Sequence, residues 1–86
     1  RVSREAVASV EQAEEVLKSL GFHQYRARHH GDLCRIEVNS ADIPKLLEPG
    51  VRDALVKGCR NAGYRFVTLD LAGYRTGSSA TAPGPG

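Results

Sequence analysis

Several motifs that mark enzymatic chemistry are missing from this 86-residue sequence. It contains no G-x-S-x-G elbow to place a nucleophilic serine, and no nucleophile stands out beside a base. Neither a G-x-G-x-x-G run nor a Walker loop is present, so the sequence predicts no glycine-rich phosphate cradle. Taken alone, the chain shows no complete active site, and we assign a catalytic role to none of its residues.

Cysteine is scarce, which limits the metal and redox chemistry that the chain can support. Cys34 falls in a predicted strand and Cys59 in a predicted helix. Neither belongs to a C-x-x-C or Cys/His ligand spacing, which excludes a zinc ribbon. We expect two buried, reduced thiols because free cysteine is among the most buried residue types. A disulfide is the alternative, and it would need an oxidising compartment.

Long apolar runs and strong net charge are absent as well. No run of about 18 apolar residues occurs, so no membrane span is predicted, and no secretory signal is visible. We therefore expect a cytoplasmic protein. The formal net charge is only +2, and no dense basic patch is interleaved with aromatic residues, which argues against a nucleic-acid partner.

The N-terminal quarter of the chain predicts an amphipathic helix. Ser3 is a good N-cap, and Glu5 lies in the first turn, where the helix dipole favours a carboxylate. Gly21 followed by Phe22 is typical of a glycine that ends a helix. Apolar residues recur at helical spacing along one stripe, namely Ala6, Val10, Ala13, Leu17 and Leu20.

A charged hairpin in the middle of the chain is the most informative feature. The run from Tyr25 to Val38 predicts two short strands, the first over about residues 23–29, joined by a turn at Gly31 and Asp32. Successive side chains of a strand point to opposite faces. One face of the hairpin is therefore largely apolar, and the other carries Arg26, Arg28, Arg35 and Glu37.

The second half of the chain predicts the remaining elements. Ser40 begins a short helix, a longer helix follows Gly50, and the last strand covers residues 65–71. The expected order is α-β-β-α-α-β, an α+β fold with helices on one face of a small three-stranded mixed sheet. We expect one domain over residues 1–75 and a flexible Gly/Ser/Thr/Pro tail over residues 76–86.

The charged face of the hairpin permits two interpretations. Guanidiniums on a rigid sheet hold phosphate or carboxylate through paired N–H donors, which makes Arg26, Arg28 and Arg35 candidate anion ligands. The alternative is a solvent-facing sheet with cross-strand ion pairs to Glu37, each of which contributes little. The residue pattern by itself favours the second interpretation.

Carboxylates and histidines suggest a further site. Glu14 leaves the first helix on its polar side and could join Glu37 and Asp42 around a hard metal ion, although the spacing does not require it. His29 and His30 are adjacent on a strand and point to opposite faces, so the pair cannot chelate one ion. We expect His30 at the turn and His29 partly buried.

Two longer strings carry a family resemblance. R-x-R-x-H-G-D begins at Arg26, and V-T-L-D-x-x-G-Y-R-x-G-S begins at Val67. Together with Glu11-x-x-Glu14 and Gly63-Tyr64, they make about residues 1–79 resemble the C-terminal domain of the ATP-dependent sacrificial sulfur transferases. These PP-loop ATP pyrophosphatases act in synthesis of the nickel-pincer cofactor of lactate racemase.

The resemblance implies a division of labour between this chain and a longer protein. ATP and Mg would be bound mainly by an N-terminal PP-loop domain, which adenylylates a carboxylate of a pyridine-dicarboxylate-type substrate. Sulfur would then come from the enzyme's own cysteine or from an iron–sulfur cluster. Cys34 and Cys59 do not match the donor position. The chain begins at Arg1 rather than Met, and we expect a piece of a longer protein that is inactive by itself.

The resemblance also implies roles for individual residues and partners. Arg26 and Arg28 match paired arginines that bind phosphate or substrate, while Glu14 and Glu37 match acidic positions that help hold a metal. Asp42 is a weaker match because the spacing varies there. Expected partners are the N-terminal domain and further copies of the protein, with no membrane or nucleic acid. The alternative is a purely structural dimerisation module of a PP-loop enzyme such as a GMP synthetase-like ligase.

Overall fold

The computed structural model describes residues 4–74. The α+β class and the order α-β-β-α-α-β are confirmed. The predicted cap at Ser3 and the predicted tail over 76–86 lie outside the described residues. The elements are α1 (Arg4–Ser19), β1 (Tyr25–His30), β2 (Leu33–Val38), a 3-10 turn (Ser40–Asp42), α2 (Ile43–Leu46), α3 (Pro49–Asn61) and β3 (Phe66–Leu69).

Helix α1 is amphipathic, as predicted, and buries Ala6, Ala13 and Leu17. It ends at Ser19, and the chain reverses at Gly21, whose φ of 95° suits a residue without a Cβ. The N–H of Phe22 then returns to the carbonyl of Leu17 at 3.1 Å, which satisfies an orphan carbonyl of the last turn. Phe22 is buried as a result, and it anchors the start of the hairpin to the core.

The sheet is mixed. Strand β1 pairs antiparallel with β2, which pairs parallel with β3, in the order β1-β2-β3. The turn at Gly31 has a φ of 60°, but His30 belongs to β1 rather than to the turn. The last strand is shorter than the predicted 65–71 because the chain turns away after Leu69, towards Gly73. Gly73 lies against the backbone of Val38, where a Cβ would come within 3.1 Å of the carbonyl oxygen.

The helices cover one face of the sheet and leave the other open, as predicted. Within residues 4–74, no helix is long and apolar enough to cross a membrane. Cys34 and Cys59 are buried free thiols, which confirms that prediction for the described part of the chain. The core cluster unites the inner face of the sheet with the helices and contains Ala13, Leu17, Phe22, Ala27, Cys34, Ile36, Val38, Leu46, Leu55, Cys59 and Tyr64.

Candidate anion-binding face

The strand register brings the four charged residues of the hairpin onto one face. Arg26 lies directly opposite Glu37, and Arg28 lies directly opposite Arg35. Because neighbouring positions across an antiparallel pair share a face, all four side chains project from the open side of the sheet. We call this set, Arg26, Arg28, Arg35 and Glu37, the arginine face.

Glu37 is the centre of the arginine face. Although the face is open, only 7% of Glu37 is exposed, because two guanidiniums cover it. Its Oε1 accepts a hydrogen bond from Nε of Arg28 at 3.3 Å, and its Oε2 accepts one from Nη2 of Arg35 at 3.1 Å. A carboxylate that accepts from two cations holds both in fixed positions, since charge-assisted bonds are the stronger kind.

Arg35 is the most constrained of the three arginines. Besides Glu37, it faces Asp70, with 3.9 Å between Nε and Oδ2. Its Nε is buried and has no hydrogen-bond partner within residues 4–74. Sequence reasoning assigns no role to Asp70, because only the parallel pairing of β3 with β2 brings it beside Arg35. Arg35 is thus held between two carboxylates, and its charge is largely neutralised.

Glu14 connects helix α1 to the outer edge of β1. Its Oε2 accepts a hydrogen bond from the backbone N–H of Ala27 at 3.0 Å. The same oxygen lies 3.9 Å from Nε of Arg26. An edge strand leaves every second N–H without a strand partner, and Glu14 satisfies one of them. The carboxylate therefore fixes the edge of the sheet and places the Arg26 guanidinium beside it.

Arg26 and Arg28 retain donors for a ligand. Arg28 uses only its Nε towards Glu37, so no residue in the described range binds its two terminal nitrogens. The Arg26 side chain makes no hydrogen bond with the described residues, and 47% of it is exposed. Parallel N–H donors of this kind suit a bidentate oxyanion. The arginine face is therefore partly neutralised at Arg35 and partly available at the other two positions.

The three carboxylates predicted to hold a metal have separate surroundings within residues 4–74. Glu14 is engaged by Ala27 and Arg26, and Glu37 by two arginines. Asp42 lies elsewhere, where the 3-10 turn joins α2. Among residues 4–74, no three His, Cys, Asp or Glu side chains come together in a group that could hold a metal. A metal role for these three residues stays a prediction of the resemblance.

An apolar groove lies on the other side of the sheet, between β3 and the α2–α3 pair. It encloses about 200 Å³. Strand β3 is an edge strand, since no strand in the described range pairs with its outer side. Leu47 at the rim of the groove is 54% exposed. The groove is lined mainly by Leu46, Leu47, Leu55, Val56, Val67 and Leu69.

Comparison with known proteins supplies the context for this geometry. The chain is 40% identical over 76 residues to pyridinium-3,5-bisthiocarboxylic acid mononucleotide synthase of Lactiplantibacillus plantarum, a match that covers 88% of the chain. The resemblance to the sulfur transferases is confirmed. An uncharacterised protein of Synechocystis sp. is 36% identical over the same length. No family model matches the chain.

The match is confined to part of each relative. The chain spans 27% of the length of the synthase and 28% of the cyanobacterial protein. The 76 matched residues thus correspond to only a portion of each of these longer relatives. The arginine face is the part of this portion with donors suited to an oxyanion.

Proposed function

We propose that this chain is the C-terminal substrate-binding and assembly domain of an ATP-dependent sulfur transferase. In this proposal the whole enzyme thiolates an adenylylated carboxylate during nickel-pincer cofactor synthesis. The identity to a synthase whose name specifies a bisthiocarboxylic mononucleotide supports this assignment. ATP and Mg would be bound mainly by a PP-loop domain outside this chain, and the 86-residue chain would be inactive alone.

The observation that carries the proposal is the availability of Arg26 and Arg28 on one rigid edge strand. Glu37 holds the Nε of Arg28, and no residue within 4–74 binds the two terminal nitrogens of that guanidinium. Glu14 lies beside Arg26 without hydrogen-bonding to it. A substrate with phosphate and carboxylate groups would receive paired N–H donors from both guanidiniums. The two carboxylates act as positioning groups, and the arginines make the contact.

Substitution in the full-length transferase tests this role. Arg26→Ala or Arg28→Ala should weaken substrate binding by about 10- to 100-fold, the effect expected on losing one charge-assisted contact. The measurement is substrate affinity together with turnover of sulfur transfer. Thermal unfolding of each variant establishes that the domain remains folded.

Arg65→Ala is the matched control. Its side chain is 75% exposed and faces the exposed Asp32 at 3.9 Å and the exposed Phe66 ring at 5.2 Å, neither of which belongs to the arginine face. Turnover and affinity should therefore stay at the level of the unmodified enzyme. Unchanged affinity and turnover in both the Arg26 and the Arg28 variant would refute the anion-binding role.

A structural role in assembly is the second candidate, and the apolar groove beside β3 favours it. The outer edge of β3 has no strand partner among residues 4–74, and the adjacent groove offers pockets for alternate side chains. Edge strands of this kind pair readily with a second chain. In this interpretation the groove would mediate contact between copies of the protein, and the arginine face would contact no substrate.

Light scattering on the 86-residue chain tests assembly. If copies associate through the groove, Leu47→Ser should convert dimers to monomers, because it places a hydroxyl at the apolar rim. Val7→Ser is the matched control, since Val7 is 45% exposed on α1 and does not line the groove. A monomeric unmodified chain, or equal dimerisation of both variants, would rule out the groove as the contact.

A further inference from the structure

A cleft lies between the N-terminal half of α1 and the outer edge of β1, on the helix side of the sheet. Its volume is about 390 Å³. Small-molecule sites in proteins span roughly 300–1,000 Å³ and combine apolar walls with a few placed polar groups. The cleft has this composition, because it is lined by Val7, Val10, Glu11, Ala27, Arg28 and His29.

The floor of the cleft is apolar and anchored to the core. Ala27 is buried, and Val10 packs against the core cluster. His29 borders the same cleft, and its Nδ1 lies 2.8 Å from the hydroxyl of the buried Tyr64. That hydrogen bond fixes the direction of the imidazole. An aromatic ring that lies in the cleft would therefore meet a preformed wall and lose its apolar surface to water.

Two side chains of opposite charge border the cleft. Arg28 belongs both to its lining and to the arginine face, and no residue within 4–74 binds the terminal nitrogens of its guanidinium. Glu11 is exposed, and its side chain makes no hydrogen bond or ion pair with the described residues. In the string Glu11-x-x-Glu14, the strand engages only Glu14. The cleft thus presents guanidinium donors and a carboxylate that this part of the chain does not use.

We propose that this cleft binds the ring of an aromatic cation that carries phosphate or carboxylate, and that Glu11 selects for the positive charge of the ring. The inference rests on the proposed function, in which Arg28 binds the oxyanion of the substrate. The apolar floor removes the ring from water, and the Glu11 carboxylate attracts its positive charge. A neutral ring gains the apolar contact alone, so the charge of the ring decides the preference of the site.

NMR titration of the 86-residue chain with two mononucleotides tests this site. Nicotinic acid mononucleotide carries a carboxylate, a phosphate and a cationic pyridinium ring, and its dihydro form carries the same groups on a neutral ring. The unmodified chain should bind the pyridinium compound about 2- to 5-fold more tightly, the effect of one exposed ion pair. Glu11→Gln should abolish this preference and leave the affinity for the dihydro form unchanged. Because Glu11 is exposed, the substitution should not disturb the fold.

Glu48→Gln is the matched control, since it removes the same charge from an exposed carboxylate that does not line the cleft. It should leave the preference for the pyridinium compound intact. Arg28→Ala should weaken the binding of both compounds equally, because both carry the oxyanions.

The outcomes separate the ring site from the anion site. Equal affinity of the unmodified chain for the two compounds, or a preference that persists in Glu11→Gln, would overturn the ring site. Weaker binding by Arg28→Ala in the same titration would then still support the proposed function. Unchanged affinities in Arg28→Ala would refute the anion-binding role, and with it the ring site that depends on Arg28. Binding of neither compound at about 10 mM, where even a weak site is occupied, would overturn both.

Discussion

At the scale of single residues, Glu37 decides how the open face of the sheet is organised. It is a carboxylate on a solvent-facing surface, yet two guanidiniums cover it so well that it is buried. Burying a charge is favourable only when partners compensate for the lost water. Arg28 and Arg35 provide that compensation, and the hydrogen bonds to Glu37 restrict the rotamers of both side chains. The hydrogen bond between Glu37 and Arg28 therefore stabilises the fold and also positions Arg28 as a donor to the proposed ligand.

Glu37→Gln should destabilise the domain by about 1–3 kcal/mol, because it leaves two arginines facing each other without a carboxylate. The half-exposed arginines keep the effect at the lower end of that range. Urea unfolding measures the loss, and added salt should recover part of it by screening the arginines. Asp53→Asn is the matched control, because the ion pair between Asp53 and Arg52 is exposed. The stability of this variant should equal that of the unmodified domain. Equal stability of both variants would contradict this account of Glu37.

Tyr64 provides a pH-dependent test of the core. Burial, followed by the neighbouring thiols, raises the pKa of Tyr64 to about 12, against about 10 for an unfolded tyrosine. Above pH 10 the unfolded chain releases this proton while the folded chain retains it. Stability is therefore fully present below pH 10 and should fall by up to about 1.4 kcal/mol per pH unit as the pH approaches 12.

Tyr64→Phe isolates the contribution of this hydroxyl. The variant loses the 2.8 Å hydrogen bond between the Tyr64 hydroxyl and Nδ1 of His29 and should be less stable at pH 8. Its stability should also decline less steeply than that of the unmodified chain between pH 10 and 12. Parallel declines in urea unfolding would show that Tyr64 does not titrate with a raised pKa.

The structure corrects the expectation of a partly buried His29. The residue is exposed, even though its ring reaches the hydroxyl of Tyr64.

At the scale of elements, the contact between α1 and α3 depends on a glycine. A Cβ at Gly58 would lie only 2.6 Å from Cγ2 of Val16. Glycine in a helix interior costs about 1 kcal/mol relative to alanine, so the close approach of the two helices must offset that cost. This packing holds α3 and its buried Cys59 against the remainder of the core.

Gly58→Ala and Gly50→Ala make a matched pair within α3. Gly58→Ala should lower stability by about 1–3 kcal/mol, because overpacking outweighs the gain in helix propensity. Gly50→Ala has nothing within 4 Å of its new Cβ and should raise stability by a few tenths to about 1 kcal/mol. Opposite shifts of the urea midpoint are the expected result. A rise in both variants would show that α1 and α3 can separate at little cost.

The two edges of the sheet are treated differently. Glu14 satisfies an outward backbone N–H of β1, and charged side chains flank that edge. Strand β3 instead borders an apolar groove. Sheet edges that stay open and apolar are sites where another chain can add. This asymmetry places the proposed substrate contact at one edge and the proposed assembly contact at the other.

At the scale of the whole molecule, the predicted division into a domain of residues 1–75 and a tail of 76–86 awaits a direct test. Deleting residues 76–86 should shift the melting temperature by less than about 2 °C if the tail adds no packing. Calorimetry on the truncated chain makes the measurement. A chain that ends at residue 71 is the control. Its melting temperature should be well below that of the chain that ends at residue 75, because it lacks the hydrogen bond from the N–H of Tyr74 to the carbonyl of Val38. A large fall in melting temperature on removing only residues 76–86 would contradict the predicted boundary.

The pattern of the sequence by itself determined the class and order of the elements. Helical spacing in α1, alternation in β1 and β2, and glycines with positive φ at the turns are local features, because each depends on neighbours within a few residues. The shared face of the four hairpin charges follows from the same local alternation. The resemblance to the sulfur transferases likewise needed only the strings along the chain.

Tertiary structure alone decided which charges meet and which distant residues share the core. Asp70 reaches Arg35 only because β3 runs parallel to β2, and Glu14 reaches Ala27 only because α1 packs along β1. Cys34 of β2 and Cys59 of α3 join one core cluster only because α3 packs over the sheet. These partners are far apart along the chain, and no periodicity within one element encodes the packing of another. That Arg26 and Arg28 keep side-chain donors with no partner among residues 4–74 could therefore be recognised only after the fold had placed the carboxylates around them.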